Sequence, residues 1–409
     1  MKINNTMFYI GILVVSMAFL FIGNRIASRD VFRPSHEHAI ATYTGVVIGI
    51  IDRIEDQYYL GAGSWFESTT LVFGVRLTGR ERRGEFITAL QQFTNMTIYE
   101  EREFATGDRV LLFFDDFGNR YFITSLVRIN TIAILGAVFL VFVILFGRKK
   151  GFNAIVALGF TCLAVFMVFI PAILSGRNIY VVTFVVCIYA IASTLLMVIG
   201  PNKKALSAML GCLGGVLLAG VLMAIMDVAL RLTGLVDHEA IGLLTLPMEN
   251  PIDLRALIFA GIIIGAVGAI MDVAMSISSS LWEVQQAGDD MSFEDIFKSG
   301  ITIGKDILGT MLNTLILAYI GSSLSLILLI TAHTTSLTEM FNREMIIVEL
   351  LRALVGSFGM FLTIPLTAGI CGWLYTKQNI HYLPPEQDME QDAVHDDSPE
   401  DGDSGSCPE

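Results

Sequence analysis

The feature that most constrains this chain is the length of its apolar blocks. They run to about 20 residues, which is what a helix needs to cross a hydrocarbon core of ~30 Å at 1.5 Å per residue. The blocks fall at about 7–23, 131–147, 152–174, 179–199, 205–230, 256–282, 306–332 and 345–375. Only 16% of the 409 residues are charged and 54% are hydrophobic, where soluble domains carry about 25% charged residues. A soluble enzyme, a disordered scaffold and a nucleic-acid binder are excluded on these grounds. The expected fold class is a polytopic α-helical membrane protein of about eight transmembrane helices, embedded in the lipid bilayer.

The formal charge of −13 has a local origin. Ten acidic residues lie between Glu386 and Glu409 with no Lys or Arg among them, so the remainder of the chain carries only −3. A stretch so acidic and so poor in apolar residues cannot bury enough surface to fold, and 378–409 reads as a disordered cytoplasmic tail. Cys162, Cys187, Cys212 and Cys371 lie in apolar blocks and Cys407 in the tail. They present neither a disulfide framework nor a zinc-ligand spacing.

The first block is followed by Asn24-Arg25-Ile26 rather than by a small-residue cleavage site, so 1–23 is expected to be an uncleaved anchor. The one long segment between blocks, 24–128, is expected to form a small β-rich domain. Residues 43–51, 71–77 and 109–114 are rich in strand formers, and 119–127 follows the turn Asp115-Asp116-Phe117-Gly118-Asn119. An OB-like barrel of about 100 residues accounts for this pattern. His36-Glu37-His38 lacks a third ligand and reads as polar surface, not as a metal site. Residues 129–377 would then form a seven-helix membrane domain. With the N-terminus inside, the inner loops and the end of the last span hold eight Lys or Arg against four in the short outer loops. That asymmetry places both termini in the cytoplasm and the β-domain outside.

Chemistry-bearing residues concentrate in three blocks. In 256–282, Gly261, Gly265, Gly268, Asp272, Ser276, Ser279 and Glu283 recur at steps of three and four and share one helix face. Glycines admit a neighbouring backbone, while a carboxylate deep in a span costs a few kcal/mol and by default marks an ion or substrate path. In the next block Asp306, Thr310, Asn313 and Thr314 share a face, with Lys305 at its mouth. Were the two helices adjacent, Asp272, Ser276, Asp306, Thr310 and Asn313 would form an oxygen-rich cluster suited to a proton or a hard cation such as Na⁺. Interhelical hydrogen bonding at ~0.6 kcal/mol per contact would select the same residue types. The last block carries Glu349, Arg352, Gly356, Gly359, Thr363 and Thr367 on one face. Glu349 and Arg352 are spaced to pair as an outer gate or a structural ion pair, and Pro365 is expected to break the helix near its inner half. Ala224-Ile225-Met226-Asp227-Val228-Ala229 recurs as Ala269-Ile270-Met271-Asp272-Val273-Ala274 on consecutive spans of opposite direction, as an inverted repeat would.

G-x-x-x-x-G-K-[ST], H-E-x-x-H and G-x-S-x-G are all absent from the sequence. No enzymatic activity, cofactor, metal or nucleic-acid partner is expected.

Three stretches resemble the YibE/F family of bacterial multispan membrane proteins: Gly268 to Ile277, Gly304 to Tyr319, and Asn342-Arg343-Glu344 with Glu349-Leu350-Leu351-Arg352. The N-terminal span followed by an outer domain resembles the YibE-type member. The resemblance implies residence in the bacterial cell membrane and either a YibF-like partner or a homo-oligomer, and it supplies no substrate. Two functions are carried forward. One is a secondary transporter or permease, cation- or proton-coupled through Asp272 and Asn313. The other is a non-transporting envelope-assembly protein that binds a partner through its outer β-domain.

Overall fold

The structure, a computed structural model, describes residues 5–29, 42–59, 65–79, 82–94, 102–115, 118–236, 238–246, 248, 251–288, 291–333 and 336–376. The acidic tail and the His36-Glu37-His38 stretch lie outside the described residues.

Helix α1 (Asn5–Ala27) precedes five strands, β1 (Thr42–Tyr59), β2 (Trp65–Leu77), β3 (Phe86–Thr94), β4 (Arg109–Asp115) and β5 (Arg120–Leu126). The strand order β1-β2-β3-β5-β4 closes on itself, because β1 pairs with both β2 and β4, and β3 runs parallel to β5. Alternation places Leu71, Phe73, Val75 and Leu77 inside, with Val47, Ala89, Val110, Leu112 and Ile123. Gly45 makes the closure tight, since a β-carbon there would stand 2.4 Å from Val75 Cγ1. β3 was not expected from the sequence. Its Phe-Ile-Thr-Ala-Leu-Gln-Gln-Phe-Thr run places the small Ala89 and the polar Gln91 inside, which weakens the apolar alternation that marks a half-buried strand.

The remainder is helical: α2 (Ile129–Ala164), a π-turn (Val165–Phe169), α3 (Ile170–Leu174), α4 (Ile179–Val198), α5 (Lys203–Leu230), α6 (His238–Leu244), α7 (Leu254–Ala287), α8 (Phe293–Ser322), α9 (Leu324–His333), α10 (Leu337–Asn342) and α11 (Glu344–Thr376). Among the described residues seven helices are long and apolar enough to cross a membrane, and one of them, Ile129–Leu174, is a 46-residue run. That run would extend about 69 Å if straight, twice the hydrocarbon thickness. It turns back at Arg148, whose φ is +46°. A β-carbon on Gly151 would lie 2.2 Å from the Val143 carbonyl oxygen, a contact only a reversal of direction allows. The two blocks read separately in the sequence are therefore two arms of one hairpin. The block expected at 306–332 begins earlier, at Phe293, where Ser292 caps it in a reciprocal capping box with Asp295. It ends at Ser322, and the rest forms the separate α9.

Contacts order the helices by end. Arg177 Nη2 donates to Ile26 O at 3.3 Å, and Tyr9 lies beside Gly200, so α1 and α4 are antiparallel. α5 starts at the Gly200 end, as does the Arg148 turn, since Asn153 Nδ2 donates to Met197 O at 3.1 Å. Tyr375 meets Ser207 of α5 there. Asn5 and Thr376 accordingly lie at one end of the bundle, and the chain enters and leaves the barrel at the other. The main core joins α4, α5, α7, α8 and α11 through residues such as Ile191, Met223, Ile263, Ile270, Ile277 and Met360.

α11 runs unbroken through Pro365, contrary to the expected break. The missing N–H costs one ladder bond, but the turns on either side are held by buried packing. Thr363 lies against Gly215 and Thr367 against Gly211. The Gly356-Gly359-Thr363-Thr367 face is thus a close-packed seam with α5 and α7.

Candidate functional site

α7 buries Ile262, Ile263, Ala266, Ile270, Val273, Ile277 and Leu281 against the bundle. At 100° per residue the opposite face carries Gly261, Gly265, Gly268 and Asp272. All four are exposed, with Ser276 half-buried beyond them. The stripe therefore faces away from the core rather than into it. A β-carbon on Gly261 or Gly268 would meet nothing within 4 Å, and one on Gly265 would reach only Tyr319 Oη at 3.8 Å. Asp272 stands 15 residues from Ala287, about 22 Å along the axis. The echo residue Asp227 has a different setting. It is half-buried near the end of α5, with Oδ1 unpartnered.

α8 packs on the bundle through Ile296, Gly300 and Gly304, its buried residues. Asp306, Thr310, Asn313 and Thr314 are exposed on its free flank. The two threonine hydroxyls donate to their own helix, Thr310 to Ile307 O and Thr314 to Thr310 O, both at 3.0 Å. Their oxygens keep acceptor capacity.

Two contacts set the level of α7 against α8. Gly300 adjoins Leu281, and Gly265 adjoins Tyr319. Between these points both helices advance 1.5 Å per residue in opposite directions. Asp272 then falls opposite Thr310, Ser276 opposite Asp306, and Asn313 about one turn away, near Gly268. The structure thus brings the five expected residues to neighbouring levels on two adjacent helices, all facing outward or half-buried. Neither Asp272 nor Asn313 makes a hydrogen bond with another described residue.

Glu349 and Arg352 form the ion pair their spacing implies, with Arg352 Nη1 donating to Glu349 Oε1 at 2.7 Å. Glu349 Oε2 is buried without a partner. Tyr319 is the neighbouring polar group, its hydroxyl close to both Gly265 and Gly356. Sequence reading passed over Tyr319 because one aromatic in an apolar block carries no periodic signal.

Two further polar clusters join elements distant in sequence. Ser207, Ser278 and Tyr375 form a hydroxyl triangle with edges of 2.7, 2.9 and 3.0 Å, and Ser278 also donates to Lys204 O. The triangle ties α5, α7 and α11 at the end holding Thr376. At the other end Glu344, first residue of α11, accepts from Thr233 N, Thr233 Oγ1 and Gly234 N at 2.7–2.8 Å. Gly234 makes that junction possible. Its φ is +89°, and a β-carbon would stand 2.4 Å from Leu254 Cβ.

The barrel carries a separate open groove of about 1210 Å³. Ile48, Ile50, Ile54 and Phe86 line it and remain exposed, with Arg82 and Arg120 at its rim. Arg82 donates to both Glu85 carboxylate oxygens at 2.6 Å and to Tyr121 Oη at 2.5 Å. No group of three or more metal-ligating side chains occurs among the described residues.

A bundle of helices long and apolar enough to cross a membrane, carrying polar side chains partway along them, with a five-stranded barrel after its first helix, is the architecture the described residues form. The model of the YibE/F-like protein family matches residues 135–377, more than half of the chain, and the chain belongs to that family. No curated protein and no solved structure matches it.

Proposed function

We propose that this protein is a secondary transporter or permease coupled to a proton or a small cation through Asp272. One observation carries the reading. An unpartnered carboxylate stands at mid-span, level with Thr310 and about one turn from Asn313. Carboxylate, hydroxyl and amide oxygens are the donor set for a hard cation, and the carboxylate alone serves a proton. Asp306 and Ser276 extend the set toward the end holding Thr376. Glu349, Arg352 and Tyr319 stand toward the other end, where they would gate or bind. On this reading both termini and the acidic tail are cytoplasmic in a bacterial plasma membrane. The barrel, OB-like in its strand order, faces outward.

The test is cation- or pH-driven uptake by liposomes containing the full chain, across a panel of small solutes. Asp272→Asn abolishes gradient-dependent flux while leaving the thermal midpoint of the protein unchanged. Equal flux in wild type and variant ends the coupling assignment.

The groove of the barrel favours a second reading, an envelope protein acting by partner binding. Exposed isoleucines around a concavity of this size mark an interaction site. This reading requires that removal of the barrel abolishes function while Asp272→Asn has no effect.

A further inference from the structure

Charge is unevenly spread at the end of the bundle that holds Thr376. On one side Arg148, Lys149 and Lys150 form the exposed turn of the α2 hairpin. Asn153, about one turn further on, donates to Met197 O near the end of α4, which brings that turn beside the start of α5 and its Lys204. These four cations form no ion pair among the described residues. On the other side, exposed Glu283 stands near the end of α7, and exposed Glu294 and Asp295 begin α8, with Asp289 and Asp290 between them in the sequence. Lys298 there is already held by Glu294 at 2.8 Å, and Lys305 lies about 18 Å from the start of α8. Packing keeps the two sides apart. α2 lies on α4 and α4 on α5, whereas α8 lies on α7 and α11. α11, packed against α5, α7 and α8, ends between the basic side and the acidic one.

We propose that residues 386–409 of the same chain dock on the basic side, across Arg148, Lys149, Lys150 and Lys204. The inference does not depend on the transport reading. Three observations choose the occupant. The segment carries ten carboxylates and no Lys or Arg, so it complements the α2–α5 side and is repelled by the α7–α8 side. The chain leaves α11 beside the patch, because Tyr375 Oη meets Ser278 Oγ at 3.0 Å and Ser278 Oγ donates to Lys204 O at 2.8 Å. The tether is also long enough. The stretch from Thr376 to Glu386 spans up to ~35 Å, and the path from α11 over α5 and α4 to α2 crosses three interaxial spacings, together about 30 Å at most. Anionic lipid headgroups are the rival for cations at a membrane face, but a short tether holds its carboxylates at an effective concentration on the order of millimolar. Docked there, the segment joins the end of α11 to the Arg148 turn, the joint at which the arm of α2 that follows the barrel folds back onto the bundle.

The experiment uses the full chain in a Cys162→Ser/Cys407→Ser background, in which Cys187, Cys212 and Cys371 are buried and take no label. Ser398→Cys, among the acidic residues, is spin-labelled together with Phe152→Cys beside the basic turn or with Gln286→Cys near the end of α7, both of them exposed positions. Pulsed electron double resonance reads the two distances in liposomes. In phosphatidylcholine the 398–152 pair shows a short-distance component that the 398–286 pair lacks. The component persists in equal parts phosphatidylcholine and phosphatidylglycerol. It is lost in Lys149→Gln/Lys150→Gln/Lys204→Gln, in Asp396→Asn/Asp397→Asn/Glu400→Gln/Asp401→Asn, and in high salt, where the screening length falls to about 3 Å at 1 M. An unchanged thermal midpoint shows that each variant remains folded. Equal distances from 398 to 152 and to 286, or a short component that survives the lysine substitutions, overturns the proposal. A short component present in phosphatidylcholine and displaced by phosphatidylglycerol assigns the patch to lipid headgroups and overturns it as well.

Discussion

Gly215 of α5 lies so close to Thr363 of α11 that a β-carbon on the glycine would stand 1.8 Å from the threonine Oγ1. Thr363 is fully buried and its hydroxyl donates to Gly359 O at 2.7 Å, so it has nowhere to retreat. Gly215→Ala is expected to force the two helices apart. The cost is about 1–3 kcal/mol of overpacking, against the up to ~1 kcal/mol by which Ala favours a helix. Gly261→Ala, with open space around it, is expected to leave the fold of the single chain unchanged. Thermal unfolding of the two purified variants in the same detergent checks the contrast.

The ion pair on α11 makes a second prediction. Arg352 is one-third exposed and Glu349 one-fifth, so the pair is only partly buried. Removing the guanidinium alone, as in Arg352→Met, leaves a carboxylate with one oxygen already unpartnered. The loss is expected to be ~2 kcal/mol, below the 3–5 kcal/mol typical of a fully buried pair. Glu349→Gln in the same chain is expected to recover most of it. A double-mutant cycle on unfolding midpoints reads the coupling, and additive losses would show that the pair does not interact.

The hydroxyl triangle gives a third. Tyr375→Phe removes the hydroxyl that ties α11 to Ser207 and Ser278 but keeps the ring packed edge-on against Trp282. Ser207 can still donate to Ser278 Oγ, and Ser278 to Lys204 O. The expected loss is about 1 kcal/mol, whereas Ser278→Val, which places an apolar group among the remaining hydroxyls, is expected to cost more. Unfolding midpoints of the two variants rank them.

The pH prediction concerns the barrel. Two hydrogen bonds from the Arg82 guanidinium hold the Glu85 carboxyl below the usual carboxylate range. A group depressed in the folded state contributes fully above its unfolded value, about 4.3 for Glu, and loses that contribution as pH falls through the lower folded value. Glu85 is exposed at the surface, so the consequence is local to the turn between β2 and β3. Amide exchange at Gly84 and Glu85, corrected for intrinsic rates, is expected to accelerate in that acidic window and to lose this pH dependence in Glu85→Gln.

Much of the architecture was legible because bilayer thickness imposes a length on any spanning helix. The α5, α7 and α11 blocks, the strand-rich insertion and the Glu349–Arg352 pair all follow from spacing within one element. β3 escaped because Ala89 and Gln91 point inward. The start of α8 escaped because its first turns are amphipathic and carry Glu294, Asp295 and Lys298. The continuity of α11 through Pro365 escaped because neighbouring helices hold the turns that Pro alone would loosen.

By itself the sequence determined most of the helices long and apolar enough to cross a membrane, the strand-rich insertion after the first of them, and a face of α7 bearing three glycines and Asp272, since period and length are properties of a single segment. Only the tertiary structure decided where that face points. Direction depends on which side of α7 its neighbours occupy, and Ile263, Ile270 and Ile277 occupy the side away from Asp272. A helix pattern states that polar residues lie together, and packing alone states whether they look into a bundle or out of it.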